Sequence, residues 1–422
     1  MWLENRGYLE ARPQSGFYIR TPSARLIPEP QFDAHPSKPA ALGNNAILAG
    51  IMEAAADPAN VPFGAGCISP ELFPNRKLNL ILRQIVRQRP LHSANYDFPP
   101  GVEALRHQIA RRALAAGCRV SPRDVVVTSG AQATNLSLRA VTRPGDVIAV
   151  ESPTYLGILE SAASLALKVL EISTHPQGGM DLDELEQAIK KHSVKACVIM
   201  ANCHNPLGYV LPDSHKQAVV ELTARRNVAV IEDDLYGDLA FADPRPLTAK
   251  SFDRKGLVLL CSSASKALSP GYRIGWVFAG RFQPEVERLK LITSMAAPSL
   301  PQWVVAEFLS SGGYDRHLNR LRANLAGQVE MLRRTAFQCF PKGRRISRPA
   351  GGHMLWIELP AKIEAMKLWR AALSEHISIL PGPIFSATGR YKNHIRLNAG
   401  IAPSDARNSA LATLGRLCAH RA

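Results

Sequence analysis

The sequence predicts an α/β fold in which a mostly parallel sheet carries helices on both faces, followed by a smaller α+β lobe. Three observations lead to this prediction. Between about residues 95 and 285, short apolar segments alternate with helical stretches. These segments are apolar throughout rather than at every second position, as is typical of strands covered on both faces. After about residue 285, a long helical region precedes a few further strands, which indicates a second, smaller unit.

Each element of the larger unit follows from its composition and its neighbours. Strands are predicted at residues 125–128, 147–150, 196–200, 228–231, 257–260 and 274–278. Parallel strands need crossover connections, and the helices predicted for this purpose cover residues 132–140, 181–191 and 212–226. In the smaller lobe, the prediction is a helix over 314–335 and strands over 353–359 and 394–397. The predicted domains are 46–290 for the large unit and 291–422 for the small lobe.

The first 45 residues do not resemble the start of such a domain. Residues 2–7 have the character of the last turns of a helix, which ends at Gly7 because glycine adopts the left-handed conformation without a Cβ clash. Two short strands are predicted on either side of a turn at residues 13–16. Residues 21–45 contain five prolines and are predicted to form a semi-rigid, extended linker. Because a lone hairpin cannot bury a core, we expect upstream sequence or another domain to pack on residues 1–20.

Composition limits the class of protein. The 422 residues are 46% hydrophobic, which is enough for a large core and excludes wholesale disorder. The seven cysteines are scattered without a C-x-x-C pair, so a reduced, cytoplasmic protein without a metal site is expected. No membrane span or secretory signal is predicted. The net charge of +16 is compatible with nucleic-acid binding or with solubility alone, and residues 1–20 contribute a net charge of only +1.

Polar residues gather after five of the predicted strands. Ligands of open α/β sheets bind beyond the carboxyl ends of the strands. The five segments are Thr128–Gln132, Glu151–Tyr155, Asn202–Gly208, Ile231–Tyr236 and Cys261–Trp276.

Each segment has a functional and a structural interpretation. Gly130 precedes a helix whose free N–H groups can bind phosphate, although many strand-to-helix turns contain glycine. Tyr155 can stack on a flat ring or pack between lobes, and Asn205 can donate to a ligand oxygen or form a turn. A carboxylate within residues 232–234 can hold a proton on a ring nitrogen, or belong to a solvated turn. Lys266 can form a Schiff base if it is held neutral, whereas a surface lysine is the ordinary alternative.

The order and spacing of these motifs resemble the pyridoxal-phosphate enzymes of fold type I, the class I/II aminotransferases, over about residues 46–420. The closest resemblance is to the kynurenine/aminoadipate-aminotransferase-like subgroup. That subgroup also supplies the effector domain of the MocR subfamily of GntR-type transcriptional regulators. The resemblance implies pyridoxal 5′-phosphate as the cofactor.

The resemblance also implies roles for individual positions. Lys266 corresponds to the lysine that binds the cofactor covalently, Asp233 to the partner of its pyridine nitrogen, and Arg396 to the clamp of the substrate α-carboxylate. The other cofactor contacts are implied for Gly130, Ala131, Gln132, Ser263, Ser265 and Arg273 around the phosphate, Tyr155 on the ring, and Asn205 and Tyr236 at the phenolic oxygen. Many relatives have a hydroxyl residue where Ala131 stands, so only its backbone N–H can serve. Tyr96 resembles a residue that reaches the phosphate of the neighbouring subunit, which implies a homodimer.

Residues 1–20 resemble the end of a GntR-type winged helix, namely the tail of the recognition helix and the wing. With the linker, this favours a MocR-type regulator that binds pyridoxal phosphate and senses an amino-acid-like compound. The alternative is an active aminotransferase of the kynurenine/aminoadipate type, because no essential catalytic position is lost; a cofactor-binding remnant is a third interpretation. Specific DNA binding is expected only if the rest of the helix-turn-helix lies upstream of Met1.

Overall fold

The computed structural model describes residues 9–12, 16–19, 27–31, 37–42, 47–130 and 132–419. The strands are β1 Leu9–Arg12, β2 Gly16–Ile19, β3 Ala40–Ala41, β4 Val61–Pro62, β5 Val125–Thr128, β6 Val147–Ser152, β7 Lys168–His175, β8 Gly179–Met180, β9 Ala196–Ile199, β10 Ala229–Asp233, β11 Val258–Ser263, β12 Gly275–Phe278, β13 Arg345–Ile346, β14 Met354–Glu358, β15 Ile377–Ser378, β16 Leu380–Pro381 and β17 His394–Asn398. The helices are α1 Ile47–Ala56, α2 Asn75–Gln88, α3 Glu103–Ala113, α4 Gln132–Val141, α5 Leu156–Ser164, α6 Leu182–His192, α7 Asp213–Arg225, α8 Gln283–Ser294, α9 Ser299–Ser310, α10 Gly313–Cys339, α11 Ala365–Ser374 and α12 Asp405–Ala419.

The central sheet is mostly parallel, as predicted. Its strand order is β3-β7-β6-β9-β10-β11-β12-β5, with β8 paired to β7. Strands β7, β6, β9, β10 and β11 are mutually parallel, while β12 is antiparallel to both β11 and β5. The carboxyl ends of β5, β6, β9, β10 and β11 therefore meet at one edge of the sheet. This edge carries all five polar segments singled out in the sequence.

Strand β7 was missing from the sequence prediction. Its central positions include Glu171, Ser173 and Thr174, and this polar content hides a strand from a search for continuous apolar runs. All three residues are nevertheless buried. Glu171 is satisfied by hydrogen bonds from Ser152 and Thr388, so the interior tolerates it.

The small lobe contains a four-stranded antiparallel sheet of order β13-β14-β17-β16. Strand β4, early in the chain, pairs with β15 and so brings the segment that follows it to the lobe boundary. Helix α9, which lies beyond the predicted boundary at residue 290, packs on α2 and α3. Helix α10 joins the two hydrophobic cores: Leu318 and Leu325 belong to the core around β5, whereas Leu332 belongs to the core around β14.

The N-terminal region is described in part. Strands β1 and β2 form the predicted antiparallel hairpin, with Leu9 opposite Ile19. Two parts of the predicted linker are bound to the body: Pro28 O accepts from Ile346 N at 2.8 Å, and Ser37 Oγ donates to Glu171 O at 2.6 Å. The predicted helix end at residues 2–7 lies outside the described residues. Within the described part of the chain, no helix has the length and apolar character needed to cross a membrane.

Candidate active site

A cavity of about 270 Å³ lies at the carboxyl edge of the central sheet. Six residues predicted from the sequence line it: Tyr155, Asp233, Tyr236, Ser265, Lys266 and Arg273. They come from the carboxyl ends of three different strands, β6, β10 and β11, so only the parallel sheet brings them together. The cavity therefore brings together six of the residues that the sequence analysis singled out.

Lys266 follows β11 and extends into this cavity. Its Nζ donates a hydrogen bond to the backbone oxygen of Gly66 at 2.7 Å and lies 5.4 Å from the centroid of the Tyr236 ring. None of the ion pairs among the described residues involves Lys266. The amine is thus held by one neutral acceptor that a ligand can replace.

Asp233 ends β10 and is 3% exposed. Its Oδ1 accepts from Leu235 N at 3.2 Å, and it has no cation within ion-pair distance among the described residues. Burial raises the pKa of this carboxyl to about 7, even though Lys266 acts in the opposite direction. A buried carboxylate without a counter-ion is costly, and a cationic ligand nitrogen would stabilise it.

Two tyrosines and an asparagine flank Asp233. Burial raises the pKa of Tyr236, and the hydrogen-bonding side chain of Asn205 lowers it in part. Asn205 Oδ1 is buried without a partner among the described residues. The Tyr155 ring lies over the start of α5. A Cβ placed on Gly157 would lie only 2.5 Å from Tyr155 Cε1, which shows how closely the ring packs there. Burial also raises the pKa of Tyr155. The geometry presents a hydroxyl, an amide and an aromatic face to one ligand.

The turn between β5 and α4 has a backbone that other groups can approach closely. Gly130 has φ +60°, and a Cβ there would lie 2.5 Å from Arg273 Nη2, so the guanidinium group packs directly on the turn. Ser265 Oγ is buried without a partner, and Ser263 Oγ accepts from Ser265 N at 3.3 Å. Gln132 begins α4, and Ala131 lies outside the described residues. An arginine, an unpartnered hydroxyl and a helix N-terminus together suit a phosphate group.

Arg396 lies on β17 and is 1% exposed. Its Nη2 donates to the backbone oxygens of Gly64 and Ala65, the latter at 3.2 Å, while its Nε has no partner. Burial lowers the pKa of this guanidinium to about 10. None of the ion pairs among the described residues includes Arg396, so it is a buried cation suited to a ligand carboxylate.

Tyr96 is not brought into the cavity. Its side chain is 65% exposed and lies 5.6 Å from the Phe98 ring. It lines an open depression of about 520 Å³ that also includes Ser129, the residue before Gly130. Within one chain Tyr96 therefore approaches the outer side of the turn rather than the cavity.

The structure adds site residues that the sequence analysis missed. The backbone of Gly64–Cys67 presents four consecutive carbonyls, which accept hydrogen bonds from Arg396, Lys266 and Asn398. His353 is fully buried beside Tyr236, and burial together with nearby cations lowers its pKa to about 3. No local sequence signal marks a segment whose backbone alone makes contacts.

A second missed group lies behind Asn205. Glu151 Oε2 accepts from Met200 N at 2.7 Å and lies 3.4 Å from His204 Nε2, and Glu151 Oε1 accepts from Tyr209 OH. Glu151 and His204 are fully buried. An acid at the end of a buried strand was the available signal, but its partners are 49 to 58 residues away along the chain.

Comparison with known proteins identifies the family. Residues 84–413 match the sequence model described as aminotransferase class I and II. The chain belongs to the class I and II aminotransferase family. This family implies pyridoxal 5′-phosphate as the cofactor. The cavity fits that group, since it combines an unpaired buried Asp233, an available Lys266 amine and the unpartnered Ser265 hydroxyl.

Individual relatives of this aminotransferase-family chain fall into two groups. The chain is 39% identical to the uncharacterized HTH-type transcriptional regulator YdcR of Escherichia coli, over 99% of this chain and 89% of the relative. It is 35% identical to the HTH-type regulator YjiR of the same organism, over 98% of this chain and 88% of that one. Among solved structures, the α-aminoadipate aminotransferase LysN from Thermus thermophilus is 25% identical with a TM-score of 0.82, covering 89% of this chain and 95% of LysN.

Proposed function

We propose that this protein is the effector portion of a MocR-type transcriptional regulator that binds pyridoxal phosphate and senses an amino-acid-like compound. The observation that carries the proposal is the extent of similarity to YdcR, which covers 99% of this chain. The family match starts only at residue 84, so this similarity also includes the hairpin and the linker. Under this proposal, residues 1–20 are the end of a winged helix.

The cofactor would be held by residues from five loops. Gly130, Ser263, Ser265, Arg273 and the backbone of Ala131 and Gln132 would bind the phosphate. Asp233 would pair with the ring nitrogen, Tyr155 would stack on the ring, and Asn205 and Tyr236 would bind the phenolic oxygen. When bound, pyridoxal phosphate supplies a ring that stabilises negative charge at the substrate Cα.

The positions of Arg396 and Lys266 determine how an amino acid would bind. An amino acid would place its carboxylate at Arg396, where it would replace the carbonyl oxygens of Gly64 and Ala65. Lys266 would hold or move the proton at the substrate Cα. Because Gly66 O accepts a hydrogen bond from Lys266 in this structure, ligand binding at Lys266 and Arg396 would free residues 64–66 from these contacts. Since this segment follows β4, such a release would reach the N-terminal side of the molecule.

The cofactor proposal is tested by trapping. The protein is incubated with pyridoxal phosphate, reduced with borohydride and digested, and we expect the label on Lys266. The variant Lys266→Ala should bind the cofactor reversibly and retain no label. Labelling of a different lysine in the wild type would contradict the assignment.

The regulator proposal is tested on the gene. An in-frame helix-turn-helix upstream of Met1 is expected, and the extended protein should bind its own promoter with an affinity that changes when cofactor and amino acids are added. A stop codon immediately upstream in the same frame would contradict the full-length regulator.

The second candidate is an active aminotransferase that moves an amino group from an amino acid to a 2-oxo acid. The favouring observation is that Lys266, Asp233 and Arg396 all lie close enough to Tyr155 to act on it electrostatically, and none of them forms an ion pair among the described residues. A 2-aminoadipate transaminase of Thermus thermophilus is also 28% identical over 85% of this chain. A panel of amino acids with 2-oxoglutarate tests it, and the absence of any glutamate formation with bound cofactor would exclude it.

We also propose a homodimer in which Tyr96 reaches the phosphate of the partner subunit. Its 65% exposure beside an open depression supports this role, because the side chain has no cover within one chain. Sedimentation should give twice the chain mass of 46.0 kDa. Mixing Tyr96→Ala with Lys266→Ala chains should restore one intact site per mixed dimer, whereas no recovery of cofactor binding would argue against shared sites.

A further inference from the structure

Lys290 is a buried cation with no acidic partner among the described residues. It lies on α8, is 1% exposed and belongs to the largest fully buried side chains. Lysine is almost never fully buried unless it is paired, because removing its charge from water is costly. Burial accordingly lowers the pKa of this amine to about 8. A buried ammonium group without an acidic partner is stabilised when a negatively charged ligand binds nearby.

The contacts of Lys290 lead to the turn at the start of α4. Its Nζ donates to Gln132 Oε1 at 3.3 Å and to Ser294 Oγ at 2.7 Å. The same Gln132 oxygen accepts from Ser129 N at 3.2 Å, and Gln132 Nε2 donates to Ser294 Oγ at 3.1 Å. Gln132 therefore links the buried ammonium group to the backbone on one side of Gly130.

The other side of the turn carries a second cation. The Arg273 guanidinium packs directly against Gly130, as the 2.5 Å approach of its Nη2 to a Cβ placed there shows. The unpartnered, 7% exposed hydroxyl of Ser265 belongs to the cavity on this side. Two cations thus lie near one helix N-terminus, and neither is neutralised by a carboxylate among the described residues.

We propose that Lys290 is a positioning residue for the cofactor phosphate, acting through Gln132 on the turn that binds it. This inference rests on the proposed phosphate role of Gly130–Gln132. Lys290 fixes the Gln132 side chain and thereby the backbone conformation of the turn. Its charge favours a dianionic phosphate over a monoanionic or neutral group. The site would therefore discriminate pyridoxal phosphate from pyridoxal partly through a residue that touches neither.

The test compares two ligands on two matched variants. Lys290→Met keeps the length of the side chain and removes its charge. Arg288→Met is the control, because Arg288 lies on the same helix with a side chain that is 57% exposed and paired to Glu285. Dissociation constants are measured by absorbance titration of the cofactor-free protein with pyridoxal phosphate and with pyridoxal. Folding of each variant is checked by circular dichroism.

We expect Lys290→Met to bind pyridoxal phosphate about tenfold more weakly, the effect of one charge at a partly desolvated site, with pyridoxal binding changed less than about twofold. Arg288→Met should match the wild type for both ligands. If Lys290→Met does not fold, Gln132→Met should show the same selective loss, because it breaks the link.

The outcomes separate the two proposals. Wild-type protein that binds no pyridoxal phosphate would overturn both the cofactor assignment and this inference. Wild-type binding that is unchanged in the variant, or an equal weakening for both ligands, would overturn the role of Lys290 alone.

Discussion

Asp233 and Asp234 are neighbours at the end of β10, but they belong to two opposite electrostatic environments. Asp233 and Lys266 line the cavity, and neither they nor the buried Arg396 has a counter-ion among the described residues. Asp234 points the other way and is paired with Arg245. The difference teaches that buried charges without partners mark the ligand site, whereas paired buried charges mark the framework that supports it.

The framework group, here called the Arg245 cluster, comprises Asn202, Asp234, Asp238, Arg245 and Tyr314. Arg245 Nε lies 2.7 Å from Asp238 Oδ1, Tyr314 OH donates to Asp238 Oδ2 at 2.7 Å, and Asn202 Nδ2 donates to Asp234 Oδ1 at 3.0 Å. Burial alone would raise the pKa of Asp238, but Arg245 and Arg112 outweigh it and hold that pKa at about 2. The cluster joins the loop after β10 to helix α10.

Breaking the Arg245 cluster should have the largest effect. Arg245→Met leaves the buried Asp234 without its cation and leaves Asp238 with Arg112 alone nearby, and we expect the free energy of unfolding to fall by about 3–5 kcal/mol. Urea denaturation monitored by circular dichroism measures it. The control Arg334→Met removes an exposed pair with Glu330, and it should cost less than about 1 kcal/mol. An equal decrease in the free energy of unfolding in both variants would contradict the supporting role of the Arg245 cluster.

Exchanging each aspartate for asparagine should change the stability of the protein in opposite directions at the two neighbouring positions. In cofactor-free protein at pH 8, Asp234→Asn should destabilise by about 2 kcal/mol, because a buried ion pair loses one partner. Asp233→Asn should instead stabilise by about 1 kcal/mol, since it removes an uncompensated buried charge. Its affinity for pyridoxal phosphate should nevertheless fall. Destabilisation by both substitutions would show that Asp233 has an internal partner.

The pH dependence should give the smallest and most specific effect. Asp233 has a pKa of about 7 in the folded chain against an ordinary value of 3.8, so folding takes up a proton between these values. Stability of the cofactor-free protein should therefore decrease by about 1 kcal/mol as the pH rises from 6 to 7. The Asp238 contribution is constant there, because its pKa of about 2 confines its loss to more acidic solution. The difference between wild type and Asp233→Asn isolates the effect, and parallel pH profiles would contradict it.

The sequence predicted what depends on local pattern. Continuous apolar runs located the strands that end at the cavity, and strand-end positions then placed Asp233, Tyr236 and Lys266 together. Strand β7 escaped because its buried Glu171 is satisfied by residues far along the chain. Tyr96 was expected at the phosphate of the neighbouring subunit, and its position outside the cavity of its own chain leaves that prediction untested.

Long-range contacts could not be predicted in this way. The Arg245 cluster combines residues from position 202 to position 314, and no pattern in the sequence links its members to one another. The same holds for Lys290, whose partner Gln132 is 158 residues away. Periodicity and turn signals describe neighbours along the chain, and they contain no information on such pairs.

Helix α10 contacts both the loop that follows β10 and the linker. Its 27 residues extend over about 40 Å. Near its start, Tyr314 and Arg322 bind Asp238, in the loop that follows Asp233. Towards its end, Arg333 donates to the backbone oxygen of Ile27 at 3.2 Å. Because a rigid helix cannot tilt at one end alone, a tilt of α10 would move both the loop that follows β10 and the linker segment at Ile27.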